Sequence, residues 1–161
     1  MQKRSLFLTF EGMDGAGKTT QMRLLAEHLR ARGRDVLETA EPGGTRIGIE
    51  IRRILLDAAN QELKPTAEML LYFACRGLVP DLTLLIDIDA ETSLARAHAR
   101  NASESTGETR MDEQSLEFHG KVYEAYHALA AREPPRFRIV DGRAGIDAIA
   151  AEIWKAVEPY V

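Results

Sequence analysis

Short apolar runs alternate along this chain with stretches whose apolar positions recur every three to four residues. Ser5 to Phe10 is a β-rich apolar run that stops at Glu11-Gly12 and predicts a buried strand. From Lys18 the period becomes helical: Met22, Leu25, Ala26 and Leu29 share one face, and Gly33 supplies the stop. Asp35 to Ala40 predicts a weaker second strand, closed by the Pro42-Gly43-Gly44 turn. Ile47, Ile51, Ile54 and Leu55 mark a second amphipathic helix, and Thr66 to Arg76, after Pro65, a third. Leu82 to Ile88 is the strongest strand signal, and its unbroken apolar run implies burial on both faces, as in a parallel sheet. Asp89 is placed to cap a helix running to about Arg100. Asn101 to Thr109 reads as a polar loop. A helix from about Asp112 to Arg132 follows, burying Phe118, Val122, Tyr126 and Leu129. Pro134-Pro135 ends it. Phe137 to Val140 is a last strand, and Ile146, Ile149, Ala150, Ile153, Trp154 and Val157 form the stripe of a terminal helix.

Strands alternating with helices predict an α/β fold with a mainly parallel sheet. The 161 residues suit one domain, and 45% hydrophobic with 29% charged residues is ordinary globular composition. No apolar stretch approaches the length of a membrane span, and Glu11 interrupts the only N-terminal candidate for a leader. Cys75 is the single cysteine, so a cytoplasmic location is the expectation. The net charge of −4 argues against a nucleic-acid polymer as partner. Sixteen of the 21 basic residues are nonetheless arginine, the side chain that grips phosphate with a two-pronged fork. His28, His98, His119 and His127 show no metal-ligand spacing and are expected on exposed helix faces.

Chemistry enters at residues 12 to 19. Gly12-Met13-Asp14-Gly15-Ala16-Gly17-Lys18-Thr19 completes the pattern G-x-x-x-x-G-K-T between a predicted strand and a predicted helix. Its glycines let successive backbone N–H groups turn inward as an anion nest, and the helix N-terminus adds partial positive charge. Lys18 is expected to reach the β- and γ-phosphates of a nucleoside triphosphate, and the Thr19 hydroxyl to ligate Mg²⁺.

The segment Phe10 to Gln21 resembles the opening of the thymidylate kinase family. Glu41-Pro42-Gly43-Gly44-Thr45 with Ile47-Gly48 resembles that family's second signature. Glu68 to Arg76 resembles its nucleobase helix, Pro80 to Asp87 its fourth strand, and Arg110 to Phe118 its lid. The resemblance implies an adenylate-kinase-like P-loop fold over residues 1–161, with a mobile lid at about 100–112. It also implies phosphoryl transfer from ATP to dTMP, with Mg²⁺, in a homodimer. By resemblance, Asp14 lies near the deoxyribose 3′-hydroxyl of dTMP, Glu41 belongs to the dTMP side, and Tyr72, with neighbouring Phe73, stacks on thymine. By resemblance, Arg76 holds the thymine or the dTMP phosphate, and Arg52 is expected to reach the dTMP phosphate as well. Some members carry an arginine inside the phosphate loop; here Gly15 or Ala16 stands there. The bacterial class resembling this sequence supplies the cation from the lid, where Arg110 matches, with Arg96 and Arg100 beside ATP.

Arg76 runs directly into Gly77, where the resemblance implies roughly forty to fifty further residues, the size of a strand–helix crossover unit. The family's Asp-Arg signature, which grips the dTMP phosphate, falls in that unit and is absent from this sequence. Residues omitted from a longer protein, a real deletion and an engineered or damaged product are the open explanations. A nucleotide-binding but catalytically incomplete module is the alternative to an active kinase.

Overall fold

The computed structural model describes residues 5–57, 59–60, 62, 64, 67, 79–103 and 114–161. The predicted helix Thr66–Arg76, apart from Ala67, lies outside them, as do Tyr72, Phe73, Arg76, the Arg76–Gly77 junction, Arg110 and most of the predicted lid.

The sheet is built around its strongest sequence signal. Strands β1 (Leu8–Glu11), β2 (Leu82–Asp87) and β3 (Phe137–Asp141) run parallel in the order β1-β2-β3. Phe10 pairs with Leu84, and Leu85 with Ile139. With a neighbour on each side, β2 buries every residue from Leu82 to Ile86. Leu82, Leu84 and Ile86 face one way, into a core shared with Leu25 and Leu29 of helix α1 (Lys18–Arg30) and with Ile149, Ile153 and Val157 of helix α5 (Ile146–Val157). Leu85 faces the other way, against Tyr126 and Ala130 of helix α4 (Leu116–Arg132) and Phe137. Helices on both faces are what a parallel sheet of continuous apolar strands requires. Helix α3 (Ala90–Ser103) follows β2 directly; Asp89 caps it, accepting from the Thr92 N–H at 2.8 Å. Among the described residues, no helix is long and apolar enough to cross a membrane.

Several sequence expectations are corrected. β1 is half-buried along its length because, among the described residues, it has a neighbour on one side only. Residues 35–40 form no strand, since among the described residues no ladder partner adjoins them. The Arg30 side chain holds this segment instead, donating to the Val36 carbonyl at 2.9 Å and to Glu38 at 2.6 Å. Leu37 is 90% exposed. Helix α2 (Arg46–Leu56) is capped by Thr45, which accepts from the Gly48 N–H at 3.0 Å. Of its predicted stripe only Leu55 is fully buried; Ile47 and Ile54 are exposed, because no described element covers that side. In α1, Gln21 rather than Met22 is buried, its amide donating to the Ile146 carbonyl at 2.9 Å. In α4, Ala130 is buried and Leu129 exposed, while α5 leaves Ile146 exposed. α4 begins at Leu116, where Ser115 caps it, rather than at Asp112. α3 continues past Arg100 to Ser103. His119 is buried, contrary to expectation, with its edge against Phe118. His28 and His127 are half-buried, and only His98 is exposed as expected.

Leu84 is fully buried at the centre of the sheet. Leu84→Ala is expected to cost about 2–5 kcal/mol. The check is a lower denaturant midpoint with an unchanged slope.

Candidate functional site

The loop between β1 and α1 is shaped by three glycines with left-handed backbone. Gly12, Gly15 and Gly17 have φ of 133°, 73° and 95°. The first two also permit contacts no other residue would allow. A Cβ on Gly12 would overlap the Ile86 carbonyl oxygen of β2. A Cβ on Gly15 would sit 2.8 Å from the Ser93 carbonyl oxygen and 2.9 Å from Arg96 Cβ, so α3 lies flush on the loop. The Ser93 hydroxyl completes this joint by donating to the Asp14 carbonyl at 2.5 Å. Met13 and Ala16 are buried beneath the loop. Lys18 is the loop's side-chain cation.

Lys18 opens α1. Its ammonium donates to the Gly12 and Met13 carbonyls at 2.7 and 2.8 Å and lies 3.6 Å from the Asp14 carboxylate. Burial pulls the Lys18 pKa down, opposed by the charges of Asp14 and Glu11, while Arg100 at the far end of α3 pushes it further down. The Arg100 charge is thus felt at Lys18. Thr19, beside Lys18, is exposed, and its hydroxyl makes no hydrogen bond among the described residues.

Other predicted residues are used differently. Arg96 donates to the Gly142 carbonyl at 2.9 Å, tying α3 to the turn after β3. Glu41, joined to Pro42 by a cis peptide bond, is exposed beside the turn, and the Arg52 stem lies against Gly43. Ser93, Glu11 and Tyr126 were not singled out as site residues. Ser93, Ala97 and Arg100 recur at helical spacing, and two small residues on one face signal a close approach. Glu11 ends β1 with its carboxylate accepting from the Tyr126 hydroxyl at 3.2 Å across 115 residues of sequence. No local pattern announces that pairing. Burial raises the Glu11 pKa, opposed by the Tyr126 hydrogen bond and then by the charges of Lys18 and Arg136.

Gly15→Ala is expected to weaken ATP binding roughly tenfold or more, as the loop must leave α3. Gly33, with φ 72° and open space around a Cβ, is the control. Gly33→Ala is expected to cost about 1–2 kcal/mol of stability without loss of affinity. Calorimetric titration with ATP, beside thermal melts, separates the two.

The comparisons with known proteins meet this geometry. A family model described as thymidylate kinase matches residues 10–79 and 75–153. The two stretches meet at residues 75–79, around the Arg76–Gly77 junction. The thymidylate kinase of Roseiflexus sp. (strain RS-1) is 38% identical over 216 positions, covering 98% of this chain and 95% of that relative. Since about 158 of the chain's 161 residues are matched, about 58 of those positions face none of its residues. The thymidylate kinase of Solidesulfovibrio magneticus is 35% identical, covering 94% of this chain and 98% of its own. In structure, the thymidylate kinase from Ehrlichia chaffeensis superposes with a TM-score of 0.60 at 21% identity, covering 96% of this chain and 98% of that one. That likeness carries the P-loop fold, and the sequence matches carry more: the chain belongs to the thymidylate kinase family.

Proposed function

We infer that the chain transfers the γ-phosphoryl group of ATP to dTMP, giving ADP and dTDP. The carrying observation is Lys18, with Asp14 beside it, at a complete phosphate loop in a chain 38% identical to a thymidylate kinase. A phosphate oxygen of dTMP attacks the γ-phosphorus as the bond to the ADP oxygen breaks. The nucleophile is already anionic, so no general base is required. The protein's task is to align the two nucleotides and to balance the charge spread over the transferring oxygens.

Residues 12–19 hold the ATP phosphates through inward N–H groups and Lys18. The carbonyls that Lys18 contacts keep its ammonium at the loop mouth. Asp14, 45% exposed beside it, accepts a hydroxyl of the dTMP sugar. Glu41 and Arg52, on either side of the 42–44 turn, belong to the dTMP side with Tyr72, Phe73 and Arg76. Arg110 supplies the cation that the loop lacks, and Arg100 reinforces it. The exposed Thr19 hydroxyl suits Mg²⁺, a hard cation held mainly by substrate phosphates and water; bound there, it neutralises phosphate charge. Among the described residues, no group of three His, Cys, Asp or Glu could hold a metal ion. A homodimer and a cytoplasmic location complete this reading.

A steady-state assay over dTMP, dUMP, AMP and CMP tests it. A clear preference for dTMP is expected. Preference for AMP, or ATP binding without any turnover, overturns it. Lys18→Ala should abolish turnover. Arg110→Ala is expected to lower kcat by about a hundredfold with little change in the KM for dTMP, as for a group engaged mainly in the transition state. A large rise in that KM instead would place Arg110 on dTMP.

A further inference from the structure

Glu11 is an awkward neighbour for a phosphate loop. Its carboxylate is drawn from water, adjoins Gly12, and is felt electrostatically at Lys18. Yet among the described residues Lys18 makes its ion pair with Asp14, and none with Glu11. An unconstrained carboxylate there would close on the ammonium, because opposite charges attract more strongly where water is scarce. The constraint comes from α4. Tyr126 donates its hydroxyl to Glu11 at 3.2 Å. Its ring is wedged against Leu85, Ala130 and Phe137. The next residue, His127, bonds Asp87 at the end of β2 at 2.9 Å. The phenol is therefore held from two directions and cannot follow Glu11 if the carboxylate moves. Arg136, the other cation facing Glu11, is occupied by Glu133 at 2.7 Å and the Thr83 hydroxyl at 2.8 Å.

We propose that Tyr126 is a positioning residue of the phosphate loop: its hydroxyl keeps the Glu11 carboxylate away from Lys18, leaving the ammonium available to the phosphates of ATP. The role rests on the reading of residues 12–19 as an ATP loop, and it acts at binding, before any transfer.

The test is a double-mutant cycle read by calorimetric titration with ATP and Mg²⁺, in the whole chain. Tyr126→Phe keeps the ring and removes the hydrogen bond; it is expected to weaken ATP binding roughly five- to tenfold. In the Glu11→Gln background, where the charge at position 11 no longer competes for Lys18, the same change is expected to weaken binding less than twofold. Glu11→Asp keeps the charge but shortens its reach to the phenol, so it should reproduce the loss by an independent route, including if Tyr126→Phe fails to fold. An equal loss in both backgrounds would mean that the Tyr126 hydroxyl acts through the Gly12 backbone, which it also bonds, or through packing rather than through Glu11, and would overturn the proposal. So would parental affinity in Tyr126→Phe, or in Glu11→Asp. A parent chain that binds ATP without phosphorylating dTMP overturns the transfer reading and leaves this one standing; a parent that does not bind ATP overturns both.

Discussion

The phosphate loop stays in place because two of its glycines have no side chain. Gly12 passes against the Ile86 carbonyl and Gly15 against the Ser93 carbonyl, both main-chain partners. A rotamer change cannot relieve a clash with main chain, so these contacts admit only glycine. Through them the loop is fixed to the corner where β2 turns into α3. Lys18 opens α1 directly after the fixed loop, and the charge of Arg100, at the far end of α3, is felt there. The Ser93–Asp14 hydrogen bond locks the same joint from the side-chain direction.

That joint also dictates how charge is distributed. The arginines of α3 are sorted by position. Arg96, one turn from the loop, supports the turn at Gly142, while Arg100 is felt at Lys18. The acids are sorted as well: Asp14 pairs with Lys18 in the open mouth, and Glu11 is held behind it by Tyr126.

The order of elements, the central strand and the phosphate loop were legible in the sequence, because each rests on local pattern. Leu82 to Ile86 are apolar without interruption, and a strand of that kind has to be covered on both faces. The glycines at 12, 15 and 17 are demanded by backbone conformation, which sequence reports directly. The misjudged positions are those whose state depends on a neighbour. Residues 35–40 have the composition of a strand, but among the described residues no partner stands beside them. Ile47 and Ile54 have the spacing of a buried face, and no described element covers it. The family match divides at residues 75–79, and about 58 positions of a relative have no counterpart in this chain.

The sequence by itself determined that this protein is an α/β chain with a triphosphate loop of the thymidylate kinase type, since period, glycine placement and motif spacing are properties of consecutive residues. Only the tertiary structure decided which charges share the mouth of that loop. Tyr126 reaches Glu11 across 115 residues, and Ser93 reaches Asp14 across 79. Such pairings arise when helices are laid on a sheet. They leave no periodic trace in the chain, because the residues involved meet only after the core has set the distances between their elements.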